Sequence, residues 1–319
     1  MHAFFHKIIY GKLTVSKLIF LTIMAVIIIF NLAPHWALGM GLLLGLVVGN
    51  PYLNLTRKYT KYLLQISVVG LGFAMDINKV LEAGSTGILY TMGTIIITII
   101  LGTLIGKAFK VNNVTSYLVS AGTAICGGSA IAAVSPVVKA NEQQISVSIG
   151  TVFILNAIAL FIFPPIGHYL DLSQNQFGIW CAIAIHDTSS VVGAASSYGH
   201  DSLIIATTVK LARALWIVPL VLITSFVFKN EKRKIHFPLF ILFFIVASIM
   251  KTYIPLVAEN SDKLLIIAKA GLALTLFFIG AGINKKSLVE IGSRPLIQGV
   301  LLWMIVLITS LWVVKSFLG

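Results

Sequence analysis

Apolar runs long enough to span a bilayer recur from Leu18 to Leu318, and no polar region between them is large enough to be a soluble domain. A transmembrane helix needs about 20 such residues to cover the hydrocarbon core. Lipid offers its backbone no hydrogen-bonding partner, so each run is expected to fold as helix. The composition agrees, with 58% hydrophobic and 10% charged residues, against roughly 25% charged in a soluble domain. These runs predict an all-α polytopic membrane protein with ten or eleven transmembrane helices in a single domain over residues 1–319. Eleven segments are read at 17–33, 36–50, 61–77, 86–106, 113–138, 144–167, 175–198, 202–228, 237–256, 264–283 and 296–315. The short first segment, 17–33, is expected to lie peripheral to a core over 36–315. The fifth and seventh are interrupted; both are counted here as crossings, with re-entry as the alternative.

Lys7, Lys12 and Lys17 precede the apolar run Leu18–Phe30, and Leu32-Ala33-Pro34 loosely matches a cleavage region. An uncleaved first span is the preferred reading over a signal peptide, because so many spans follow. The net charge of +13 does not point to nucleic acid, since the cations are dispersed in the connections between spans. Placing the N-terminus in the cytoplasm puts fifteen Lys and Arg in inside segments and five in outside segments (Lys79, Lys139, Lys251, Lys263 and Lys315), the asymmetry the positive-inside rule requires. An internal echo joins Gly72-Phe73-Ala74-Met75-Asp76-Ile77-Asn78-Lys79 to Gly280-Ala281-Gly282-Ile283-Asn284-Lys285, each followed by a Glu and a Gly (Glu82 and Gly84, Glu290 and Gly292). The topology gives the two copies opposite orientations, as in inverted-repeat transporters, but the echo does not divide the chain into two consecutive five-helix units.

Two interruptions carry the chemistry. The stretch Ser120–Lys139 has the apolar content of a span, yet its middle is Cys126-Gly127-Gly128-Ser129. Adjacent glycines and small hydroxyl residues disfavour a continuous helix. A break there would aim backbone N–H groups and a helix-dipole end at a solute, with Thr123 and Ser129 adding hydroxyls; close helix packing is the bland alternative. The second is His186-Asp187-Thr188-Ser189-Ser190, five consecutive polar residues within an apolar run. Apart from Asp76 at the very end of the third segment, Asp187 is the one acidic residue inside a predicted span, and intramembrane ionisable groups mark functional sites. Its side chain and those of Thr188, Ser189 and Ser190 favour a helix N-cap, so a new half-helix is expected to start here. The competing reading has Asp187 as a structural cap paired with a cation. His186 beside it suits proton handling.

Lys210 and Arg213, three apart on one helical face, sit inside the eighth run. They serve either as a cationic surface for an oxyanion or as a snorkelling, bundle-stabilising pair. Asn156 and Gln65 read as interhelical hydrogen-bonding glue. Cys126 and Cys181 both fall inside spans, so free buried thiols are expected, with Cys126 a packing residue rather than a nucleophile. The sequence has no phosphate-binding loop, zinc motif or serine-hydrolase elbow; no catalytic residue, metal or cofactor is assigned.

Three strings, Gly122–Pro136 (GTAICGGSAIAAVSP), Gly178–Ala195 (GIWCAIAIHDTSSVVGAA) and Ala206–Leu220 (ATTVKLARALWIVPL), resemble in order the YeiH-type family named for sulfate export. The resemblance covers nearly the whole chain, although Ser190 stands where the family pattern often has Gln. It implies a bacterial cytoplasmic-membrane protein of the cation:proton antiporter and anion transporter superfamily, with inverted repeats and broken helices. The expected function is secondary transport of a small anion (sulfate, sulfite or a sulfonate), bound at Thr123, Cys126, Gly127, Gly128, Ser129, Thr188, Ser189, Ser190, Lys210 and Arg213. His186 and Asp187 would couple it to a proton or sodium ion. Lipid, and a second copy of the chain, are the remaining expected partners. Alternatives are a cation:proton antiporter using Asp187 with Lys210 as competitor, a membrane enzyme using Cys126 and His186, and a non-transporting subunit.

Overall fold

The computed structural model describes residues 8–10, 13–73, 75–228, 239–283 and 292–317. A short antiparallel pair, β1 (Ile8–Tyr10) and β2 (Leu13–Thr14), precedes the helices. The helices are α1 (Val15–Ile29), α2 (Pro34–Val47), α3 (Leu53–Gly72), α4 (Ile77–Ala108), α5 (Asn113–Ala124), α6 (Gly128–Val134), α7 (Glu142–Tyr169) and α8 (Gln174–Ala184). They continue with α9 (Thr188–Tyr198), α10 (His200–Leu215), α11 (Ile217–Val227), α12 (Leu239–Tyr253), α13 (Pro255–Glu259), α14 (Ser261–Gly282) and α15 (Ser293–Phe317). Every predicted segment corresponds to one helix or one interrupted pair. Among the described residues five stretches, in α4, α7, α10–α11, α14 and α15, are long and apolar enough to cross a membrane by length and composition, and the protein is an all-α membrane protein.

The chain divides into two compact units, residues 1–77 with 239–288 and residues 78–238 with 289–319. In the first, α14 packs on α2 and on α3, and α12 packs on α3. Phe20, Ile27, Ala37, Leu44, Ala273 and Phe277 form its core. Glycine permits the closest contact: a Cβ on Gly41 would lie 2.3 Å from the Phe277 carbonyl oxygen, and one on Gly280 would lie 2.6 Å from that of Leu38.

In the second unit the two interrupted segments do not cross. Each folds back on itself as a hairpin, which corrects the reading of 113–138 and 175–198 as crossings. In the first hairpin, α5 and α6 pack together, with Ile131 lying over Gly122. The chain after α6 returns to where α5 began: Gln144 Nε2 donates to Asn112 Oδ1 (2.9 Å), and Ser148 Oγ donates to the Thr115 carbonyl (3.4 Å). The second hairpin is closed at its base by Tyr198, whose ring stacks on Phe177 at 3.8 Å and whose hydroxyl donates to the Leu172 carbonyl. Gln174 Oε1 accepts there from the N–H groups of Asp201 (3.0 Å) and Ser202 (3.3 Å).

The first arms, α5 and α8, have 12 and 11 residues, or about 16–18 Å at 1.5 Å per residue. Each reaches roughly halfway through a hydrocarbon core of about 30 Å. Helix α7 runs from the base of one hairpin to the base of the other, so the two enter from opposite ends. Asn141 and Ser173 start α7 and α8 with capping boxes closed by Gln144 and Gln176, a reciprocal use of the orphan N–H groups at a helix start.

The packing explains the sequence echo. In the first unit, α2 on α14 answers α12 on α3, while α3 on α14 is its own counterpart. In the second, α5 on α7 answers α8 on α10, and α9 on α7 answers α6 on α11. Within the first unit an exchange therefore matches α2 and α3 with α12 and α14, and within the second it matches the first hairpin and α7 with the second hairpin and α10–α11. Along the chain α2 and α3 precede the first hairpin whereas α12 and α14 follow the second, so the echo, at the α3–α4 junction and at the end of α14, fits no division into consecutive halves. Asn284, Lys285, Glu290 and their neighbours lie outside the described residues.

Substituting Gly41→Val should lower the stability of the first unit by about 1–3 kcal/mol through overpacking. Gly282→Ala in α14, which meets nothing within 4 Å, should change it little. Thermal unfolding in detergent micelles reads both.

Candidate functional site

The tips of the two hairpins meet. At the first, α5 ends at Ala124, and Gly127 turns the chain with φ 61° and ψ −125° into α6. That conformation is open to glycine and strained for any residue with a Cβ. Its N–H donates back to the Gly122 carbonyl at 2.8 Å. A Cβ placed on Gly127 would lie 3.6 Å from both Asp187 Cβ and the His186 carbonyl carbon, and 3.3 Å from Val152 Cγ1 of α7. The two tips are thus in van der Waals contact, and it is the backbone conformation of the turn that calls for glycine.

At the second tip, Asp187 caps α9. Its carboxylate accepts from the Ser190 N–H (3.1 Å), the Ser190 hydroxyl (3.3 Å) and the Ser189 hydroxyl. The expected half-helix start is therefore in place, with negative charge at the positive end of the dipole. The His186 backbone N–H donates to Asn156 Oδ1 on α7 at 3.0 Å, and Trp303 Nε1 of α15 donates to the Ala184 carbonyl at 3.0 Å. These bonds satisfy backbone groups freed by the break, as lipid-buried irregular backbone demands.

The carbonyls at the ends of the two entering arms are taken by the cations of α10. Lys210 Nζ donates to the Ile185 carbonyl at 2.6 Å and to Ala182 at 3.3 Å, at the end of α8. Arg213 Nε donates to the Ala124 carbonyl at 2.7 Å, Nη2 donates to the same oxygen, and Nη1 reaches Thr94 Oγ1 at 3.5 Å. Both side chains are 0% exposed. Two residues three apart on one face thus cap one hairpin each, with positive charge at the negative end of a half-helix. The sequence reading offered anion binding or bundle stabilisation for this pair; the hydrogen bonds place both charges on hairpin backbone.

All twelve residues singled out in the sequence lie at the tips or on α10. Gly128, Ser129 and Asp187 keep exposure, whereas Thr123, Cys126, His186, Thr188, Ser189 and Ser190 are buried. Cys126 and Cys181 are free and buried, and Cys181 Sγ lies 3.6 Å from the Val191 carbonyl oxygen as a weak donor. The sequence reading missed the structural contacts of Trp303 and Thr94 altogether. It saw Asn156 as glue, which its Oδ1 is, but not that its Nδ2 is buried without a partner among the described residues. Among the described residues no group of three or more His, Cys, Asp or Glu could hold a metal ion.

A bundle with two polar-tipped hairpins meeting from opposite ends, in a chain of apolar helices, defines a multi-pass membrane protein built around an intramembrane polar site. Residues 14–299 match the family described as conserved hypothetical protein 698, and the chain belongs to that family, in agreement with the YeiH-type resemblance. It is 51% identical over 280 residues to a UPF0324 membrane protein of Bacteroides thetaiotaomicron, covering 87% of this chain and 85% of the relative. A UPF0324 membrane protein of Porphyromonas gingivalis is 52% identical over 284 residues (88% and 86%), and one of Bdellovibrio bacteriovorus is 50% identical over 276 residues (85% of each). No solved structure matches the chain.

Gly127→Ala should cost about 1–3 kcal/mol of stability through its backbone conformation. Gly128→Ala, where a Cβ meets only the edge of the Phe153 ring at 3.3 Å, should cost less, and thermal unfolding separates the two. Arg213→Met leaves the Ala124 carbonyl unsatisfied and should cost about 1–3 kcal/mol. Arg213→Lys should recover part of that loss in the same measurement.

Proposed function

We propose that the chain is a secondary transporter that carries a small anion, of the sulfate, sulfite or sulfonate kind suggested by the family resemblance, across a bacterial cytoplasmic membrane. The anion binds at the facing hairpin tips. The observation that carries this reading is the charge balance there. Each break exposes one positive and one negative half-helix end, so the dipole contributions offset one another. What remains is Lys210 and Arg213 against Asp187, one positive charge in excess when the His186 imidazole is counted neutral. An excess cation within a membrane calls for a counter-ion. The solute reaches the tips through the exposed edge formed by Gly128, Ser129 and Asp187.

His186 and Asp187 form the coupling pair. Binding a proton or sodium ion at Asp187 raises the positive excess and favours the anion-loaded state, which links the two gradients in an alternating-access cycle. The N-terminus lies in the cytoplasm. With both hairpins re-entrant, the two changes of side cancel downstream, and only Lys139 moves, from outside to inside. The sequence then places sixteen basic residues inside against four outside, a stronger asymmetry than the eleven-crossing count. The reading is non-enzymatic, with the buried Cys126 as packing.

Asp187→Asn keeps an oxygen acceptor for the α9 cap and removes the charge. In proteoliposomes it should retain anion counterflow at a rate within about threefold of the parent, while losing accumulation driven by a proton or sodium gradient. Sodium/proton exchange that needs no anion and disappears in Asp187→Asn would instead support a cation antiporter.

A further inference from the structure

Three side chains at the tips are almost completely buried yet hold polar atoms that no protein group satisfies among the described residues. They are Thr123 (0% exposed), through Oγ1; Asn156 (3%), through Nδ2; and His186 (0%), through both ring nitrogens. Buried atoms of this kind are costly if left unpaired. They lie together. Asn156 holds the His186 backbone at 3.0 Å. Val152, one turn from Asn156 on α7, lies against Gly127 at the first tip, and Thr123 is the residue before Ala124, whose carbonyl Arg213 holds. The charged groups at the tips are already engaged, Lys210 and Arg213 with carbonyls and Asp187 with the α9 cap. The free capacity of the site is therefore uncharged: an amide donor, a hydroxyl and an imidazole.

We infer that the ligand of the hairpin tips is a singly charged oxyanion, held by Thr123, Asn156 and His186, and that a doubly charged one such as sulfate is discriminated against. This rests on the anion-transport reading above and narrows it. While Asp187 carries its charge and no coupling ion is bound, one negative charge neutralises the excess of one positive charge, whereas two leave a buried net negative charge without a partner, which is costly in a desolvated site. Asn156 Nδ2 points to an acceptor oxygen on the ligand. A neutral imidazole, with one donor and one acceptor nitrogen, accommodates a bound oxygen and a remaining hydroxyl.

The test is calorimetric titration of the purified protein in lipid nanodiscs with methanesulfonate, hydrogensulfite and nitrate as monoanions and sulfate as the dianion. A monoanion should bind at least about tenfold more tightly than sulfate, a difference of about 1.4 kcal/mol. Asn156→Asp retains the Oδ1 acceptor for the His186 N–H, loses the amide donor and cancels the excess charge. It should keep the parent's unfolding temperature and lose monoanion binding by at least about tenfold. Sulfate binding as tightly as the monoanions, or unchanged monoanion binding in Asn156→Asp, overturns the inference while leaving anion transport standing. Binding of none of the four by the parent protein overturns both.

Discussion

The structure depends on how two interrupted helices are ended inside a membrane. A helix that stops in mid-bilayer leaves carbonyls that water cannot reach. Here those carbonyls are met by Lys210 and Arg213, one on each hairpin, from a single face of α10. An isolated cation at the bilayer centre costs roughly 2.5–3.5 kcal/mol on insertion scales. A cation donating to the negative end of a half-helix offsets that cost while satisfying the carbonyl. The two problems solve each other, and the hairpin tips can then be polar without being loose.

From that arrangement the site follows. Because the C-terminal ends of the entering arms are capped by cations and the start of α9 by Asp187, the tips hold fixed charges in fixed places. Gly127 makes the turn at the first tip, since its positive-φ conformation is one that a residue with a Cβ rarely adopts. In the proposed function the uncharged polar atoms of Thr123, Asn156 and His186 recognise the solute, while the net positive charge selects its sign. Position and selectivity are thereby divided between different residues.

Much of this was legible in the sequence. The apolar runs locate the long helices, because lipid allows a spanning chain few other solutions. The Gly127-Gly128 pair and the Asp-Thr-Ser-Ser string locate both breaks, because glycine flexibility and N-cap chemistry are local properties. The direction of the chain after each break was not legible. A hairpin and a crossing have the same composition over 113–138 and over 175–198; what separates them is long-range, namely Gln144 on Asn112 and Tyr198 on Phe177 and Leu172. The positive-inside count could not expose the difference, since two re-entries restore the parity and move only Lys139. The role of Lys210 and Arg213 stayed open for the same reason: a deep cation beside a possible anion site and a deep cation beside a helix end look alike until the end is in view. Chain order hid the correspondence, because the counterparts of α2 and α3 follow the second hairpin in sequence.

The claim on which the account rests most heavily is that the first hairpin re-enters rather than crosses. Single-cysteine variants Lys110→Cys and Lys139→Cys, made in a background lacking Cys126 and Cys181, can be labelled in sealed membrane vesicles with a membrane-impermeant maleimide. The account predicts that both label from the same face of the membrane, the face opposite to that from which Asp171→Cys labels. Labelling of positions 110 and 139 from opposite faces would contradict it.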